Sequence, residues 1–132
     1  MRPRLLFALL GAAALSVAAA GASETAIFPL SEVRPGLAGY GLSVFSGIEP
    51  QRFEVEVVGV LQRVSPGTSY VLARLSGQGL ERTGVIAGMS GSPVYFDGRL
   101  AGAVAFAYQF AKEAVAGITP IEAMRAIPPP AG

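Results

Sequence analysis

Strict alternation of apolar and polar positions begins at Phe53: Phe53, Val55 and Val57 fall on one side of an extended chain, Glu54 and Glu56 on the other. Side chains of a strand point alternately to its two faces. The run Phe53 to Leu61 (FEVEVVGVL) therefore predicts a half-buried strand that becomes fully buried along its apolar tail. Glu54 and Glu56 then form a solvent face, which accounts for their spacing more simply than a pair of catalytic carboxylates does. The turn signal Ser65-Pro66-Gly67 separates this strand from a second, Tyr70 to Leu75 (YVLARL), and a short third strand is expected over Val85 to Ala87. Val94 to Phe96 and Leu100 to Phe106 flank Asp97-Gly98, a pair favoured where both central residues of a tight hairpin turn take positive φ. Gly117 to Thr119 reads as one more strand. Pro120 then starts a short helix, Ile121 to Ala126, because its fixed φ suits the first helical turn.

Short strands set between glycine-rich turns at roughly regular spacing indicate an all-β sandwich or barrel. There are 17 Gly and 10 Pro, spread along the whole chain rather than gathered in one linker, and no internal repeat is visible. The two ends break the pattern. Residues 1–22 read as a secretory signal peptide: Arg2 and Arg4, an apolar run from Leu5 to Ala20, then Ala20-Gly21-Ala22 as a peptidase site before Ser23. The rival reading is an uncleaved anchor, but the run is shorter than the roughly 20 residues of a spanning helix and its second half is mostly Ala. Residues 127–132 (IPPPAG) read as a polyproline-like tail or linker. The expected organisation is thus a leader over 1–22, one β-domain over 23–126 and a Pro-rich end. The destination is secreted or periplasmic, with no membrane contact after cleavage.

Charge and composition narrow the function classes. The 132 residues carry ten Lys/Arg and nine Asp/Glu, a net charge of +1, and removal of Arg2 and Arg4 leaves −1. Neither value provides the basic face that nucleic-acid binding needs, so no nucleic-acid partner is expected. The chain contains no Cys, His or Trp. Disulfides, lipid attachment through Cys, and thiolate or imidazole metal sites are therefore impossible, and no cofactor is expected. Any imidazole base would have to come from elsewhere.

One segment carries recognisable chemistry: Gly88-Met89-Ser90-Gly91-Ser92-Pro93. A G-x-S-G-x-P turn in serine peptidases exposes the serine hydroxyl and aims consecutive backbone N–H groups into one space, where they stabilise the oxyanion of the tetrahedral intermediate. Mapped here, Ser90 is the candidate nucleophile, and the N–H groups of Gly88 and Ser90 are the candidate oxyanion donors. The same hexapeptide on its own is also what an ordinary Gly/Ser/Pro turn looks like. The hairpin that follows it, through Leu100-Ala101-Gly102-Ala103-Val104, adds specificity.

From Arg52 to about Met124 the chain resembles the SpoIVB-type sporulation serine peptidases. The resemblance lies in Arg52-Phe53-Glu54-Val55-Glu56-Val57, in Leu80 to Ala87 (LERTGVIA) and above all in Gly88 to Val104 (GMSGSPVYFDGRLAGAV), with Tyr40-Gly41-Leu42 as a shorter match. It implies a trypsin-like β-barrel, single or incomplete, and serine endopeptidase ancestry with Ser90 at the nucleophile position. Two family features are missing. The family's general base is a His after the Tyr-Gly segment, where this chain has Leu42-Ser43-Val44. The family's Asp falls near Ser76, in a stretch without acids (Arg74-Leu75-Ser76-Gly77-Gln78).

A serine hydroxyl needs an adjacent base to attack at neutral pH. Lys112, the only Lys, could in principle serve as one, but Gln109 to Glu113 reads as an exposed loop, where a solvated Lys stays protonated. Tyr40, Tyr70, Tyr95 and Tyr108 are scattered and read as core or rim. Three functions are left. The domain is a degenerate peptidase that binds a peptide or protein in the exported compartment. It is an active endopeptidase whose base comes from Lys112 or from a further segment or partner. Or it is a small β-domain whose Gly-Met-Ser-Gly turn is only structural.

Overall fold

A computed structural model describes residues 25–108 and 111–131; the leader read over 1–22 lies outside these residues. Six strands are present: β1 (Ala38–Ser43), β2 (Gln51–Ser65), β3 (Thr68–Ser76), β4 (Pro93–Phe96), β5 (Arg99–Ala107) and β6 (Val115–Pro120). α1 (Leu80–Thr83) and a 3-10 turn at Ala87–Met89 lie between β3 and β4, a further 3-10 turn at Leu30–Glu32 precedes β1, and α2 (Ile121–Arg125) follows β6. These six strands pair antiparallel in the order β1-β2-β3-β6-β5-β4, and β1 pairs with β4 to close the barrel. The expected all-β barrel with a short C-terminal helix is therefore present, single and closed.

In β2, Phe53, Val55 and Val57 are buried and Glu54 and Glu56 exposed, as the alternation requires. The apolar tail departs from expectation. Val58 sits in a bulge between Val57 and Gly59 that interrupts the register with β3, and both it and Val64, further along the hairpin, are exposed to solvent instead of buried in the core. Asp97 and Gly98 both take positive φ, 50° and 68°, and make the tight β4–β5 turn as expected. Pro120 ends β6 and caps α2 rather than forming its first turn.

Val85 to Ala87 is not a strand. Gly84, at φ 69°, turns the chain after α1, and the segment then runs into the 3-10 turn. The Ile86 and Ala87 carbonyls accept the Met89 and Ser90 N–H groups of that turn, which keeps them out of a strand ladder. Val85 packs against the core, and Leu80 is fully buried.

β1 is absent from the sequence expectations because Ala-Gly-Tyr-Gly-Leu-Ser has little apolar periodicity. Its glycines explain its place. Gly41 lies opposite Phe53, and a Cβ at Gly41 would fall inside the Phe53 ring. The missing side chain lets the fully buried ring lie directly on the neighbouring backbone, beside Phe96, Leu75, Ile118 and Val94 in the core. Gly41→Ala should accordingly lower the unfolding free energy by about 1–3 kcal/mol, the usual cost of overpacking a core. A denaturant midpoint unchanged from the parent would contradict this packing.

Candidate functional site

The segment carrying Ser90 is held at both ends by buried side chains. Leu80 anchors α1, and Met89 has no exposed surface. Burial of such a side chain contributes about 1.5–3 kcal/mol, which orients the turn: with Met89 inward, Ser90 points out to solvent. Gly91 follows at φ 84°, the left-handed region that glycine enters without strain. Its N–H donates to the Val104 carbonyl at 2.7 Å, and Val104 N–H donates to the Ser92 carbonyl at 2.9 Å. These bonds strap the turn to β5.

The side chain of Ser92 turns inward and donates from Oγ to Ser43 Oγ at 2.9 Å, with both residues buried. Ser43 ends β1, so this bond ties the strand closing the barrel to the turn that carries Ser90. Leu42-Ser43-Val44, the stretch where the resemblance expects a base, does lie beside the turn. Its polar group is spent on Ser92. Ser43 was singled out from the sequence only as the place of a missing His; nothing in the spacing from 43 to 92 betrays the pairing, which barrel closure creates.

The backbone of the turn is closed in this conformation. Met89 N–H donates to the Ile86 carbonyl at 3.0 Å and Ser90 N–H to the Ala87 carbonyl at 3.2 Å. Gly88 is exposed inside the same 3-10 turn. The Ser90 N–H, one of the two candidate oxyanion donors, is thus already bonded within the chain.

Ser90 stands on a ridge between two open clefts. One, of about 330 Å³, is walled by Val85, Ile86 and Ala87 on one side and by β5 from Val104 to Ala107 on the other. The second, of about 400 Å³, is lined by Leu42, Val44, Pro50 and Pro93 with the serines of the turn. Among the described residues, no ionisable side chain lines either cleft. Lys112 is exposed and lines a third cleft of about 370 Å³, with Glu81, Arg82, Tyr108 and Glu113. Ser90 does not line that one, which shares only Val85 and Ala107 with the lining of the first cleft. Ser76 lies opposite Glu54 on β3 and lines none of the three.

Around the third cleft the carboxylates have partners. Glu113 pairs with Arg74 at 2.6 Å, and Arg74 also reaches Glu56 at 3.2 Å. Glu81 Oε1 accepts the Gly77 N–H at 2.7 Å, and this bond holds its carboxyl below the usual carboxylate range. On β2, the hydrogen bond from Arg52 does the same for Glu54.

Two measurements check these contacts. Ser43→Ala or Ser92→Ala leaves one buried hydroxyl unpaired, so each should cost about 1–2 kcal/mol, while the double variant should cost clearly less than their sum. Additive losses in a denaturation cycle would show that the hydroxyls do not interact. A carboxyl with a lowered native pKa stabilises the fold above its unfolded pKa, and that contribution is lost as pH falls through the native value. Glu81→Gln should therefore lower the melting temperature at pH 7 and leave it unchanged near pH ~2. Equal losses at both pH values would remove the Glu81–Gly77 bond as their cause.

No curated protein and no solved structure matches the chain. The family model of SpoIVB peptidase S55 matches residues 10–124, nearly the whole chain, and its match begins within the stretch read as a leader. Together with the closed six-stranded barrel and the exposed Ser90 turn strapped to β5, this match shows that the chain belongs to the SpoIVB peptidase S55 family.

Proposed function

We propose that this domain is an exported binding module on a peptidase barrel, one that holds an extended polypeptide segment beside Ser90 without cutting it. The observation that carries this reading is the chemistry around Ser90. No ionisable side chain lines either bordering cleft, the chain has no His, and the Ser90 N–H is bonded to Ala87. A serine without a base is a poor nucleophile, and an occupied donor offers nothing to an oxyanion.

The surroundings still favour a bound strand. β4 pairs with β5 only as far as Ala103, whereas β5 continues to Ala107. Past Val104, which is bonded to the turn, the edge of β5 facing the first cleft has no β4 neighbour. An extended segment can add there, with main-chain bonds for affinity and the cleft for side-chain choice. The leader pattern of residues 1–22 supports an exported destination, and with it a peptide or protein partner in that compartment.

Family membership and the exposure of Ser90 favour a second reading: an endopeptidase with Ser90 as nucleophile, Gly88 and Ser90 N–H as oxyanion donors, and a base from Lys112 or from another polypeptide. A fluorophosphonate probe separates the two. The folded chain should remain unlabelled over hours. Stoichiometric labelling of Ser90 that disappears in Ser90→Ala would replace the binding module with the enzyme.

A further inference from the structure

The Pro-rich end takes no part in the site around Ser90, and an aromatic trough on the outside of the barrel fits it. On the outer face of β5, Phe106 lies over Gly117 of β6, where a Cβ would fall within its ring. Bare backbone thus fixes a ring that remains exposed to solvent. Tyr70, which alternates with the buried Val71 and so stands on the outer face of β3, and the exposed Tyr108, just past β5, flank Phe106 at centroid distances of 5.1 and 5.7 Å. Their planes stand at 79° and 68° to that of Phe106, which makes a floor with two walls. Of the three rings, only Phe106 also lines the cleft beside Ser90.

Upright rings around a flat one suit proline. A polyproline II helix rises about 3.1 Å per residue, so three prolines match the length of the trough, and the segment is already extended before it binds. Its carbonyls have no internal partner and can accept from the Tyr70 and Tyr108 hydroxyls. The chain itself carries such a segment in Ile127-Pro128-Pro129-Pro130, exposed at every residue. A residue that precedes proline is held extended, so Ile127, Pro128 and Pro129 cannot fold back in a tight turn, and the tail leaves α2 as a stiff rod in solvent. Ala126, at its root, lines one cleft of about 220 Å³ with Ser69, the residue before Tyr70. Tail and trough therefore belong to one surface, as a two-fold pairing of identical chains requires. We infer that residues 127–130 of a second copy lie in the Tyr70–Phe106–Tyr108 trough, each chain giving its tail to the other. This pairing does not rest on the binding proposed beside Ser90.

Sedimentation velocity of the full chain between about 10 μM and 1 mM tests this. The mass of the parent should rise toward that of a dimer. Joint replacement of the tail prolines (Pro128→Ser, Pro129→Ser and Pro130→Ser) should weaken association by about tenfold or more, and so should Tyr70→Ser with Tyr108→Ser. The tail variant leaves the barrel untouched, so its comparison with the parent decides even if the tyrosine variant fails to fold. An equimolar mixture of the two variants should associate more than either alone, because one intact tail then meets one intact trough. The chain has no Trp, so tyrosine fluorescence of the tail variant reads the trough. The end-blocked peptide Ile-Pro-Pro-Pro-Ala-Gly, which has no aromatic group, should change that signal, and Ile-Ser-Ser-Ser-Ala-Gly should not. A parent that stays monomeric, equal association of parent and tail variant, or equal response to both peptides would overturn the inference. A tyrosine signal that differs between parent and tail variant where both are monomeric would make the chain's own tail the occupant, and would also overturn it.

Discussion

Closure of the sheet between β1 and β4 is the constraint on which the site depends. Only two registered pairs make it, Tyr40 with Tyr95 and Gly41 with Val94. On the outside, the two tyrosine rings stack at 5.2 Å, and the Arg52 guanidinium lies 4.4 Å from the Tyr40 ring centre. On the inside, the rings of Phe53 and Phe96 lie against Gly41 and Gly39, where any Cβ would displace them. The seam therefore combines a half-buried aromatic clasp with close-packed rings under bare backbone. It ends at Ser43, whose bond to Ser92 delivers the seam directly to the turn that carries Ser90.

That connection makes the turn rigid for reasons unrelated to chemistry on a substrate. Met89 is in the core, Gly91 is tied to Val104, and Ser92 is tied to Ser43. What remains at the surface is a hydroxyl on a ridge, with a closed backbone loop behind it. In a working hydrolase the same geometry would need a base within hydrogen-bond reach and free N–H groups aimed at the developing oxyanion. Among the described residues no ionisable side chain lines either cleft beside Ser90, and the Ser90 N–H is bonded to the Ala87 carbonyl, while the edge of β5 past Val104 has no β4 partner.

Elements whose burial follows a simple period were legible in advance. The alternation in β2, the Asp97-Gly98 hairpin and the α2 start at Pro120 all follow from local rules of pleat, φ and chain direction. β1 was invisible because its residues are chosen for what they leave out, and a glycine's purpose is set by the ring across from it. Val85 to Ala87 misled for the opposite reason. Three apolar residues between turns suit a short strand, but they serve as a wall for the first cleft, because the Ile86 and Ala87 carbonyls are taken up by the 3-10 turn that follows.

The Gly-Met-Ser-Gly-Ser-Pro string together with the hairpin through Val104 pointed to Ser90 and its turn, and with Arg52 to Val57 and Leu80 to Ala87 it carried the family resemblance. The absence of His was likewise complete in the composition. Only the tertiary structure could decide what surrounds the serine: that Ser43 meets Ser92, that Ala87 closes on the Ser90 N–H, and that Lys112 lines another cleft. The Ser43–Ser92 bond joins side chains 49 residues apart and is produced by strand order and barrel closure, whereas the Ala87–Ser90 bond is a backbone contact within one turn. No local pattern encodes the serine pair, since each partner's own neighbourhood is equally compatible with solvent.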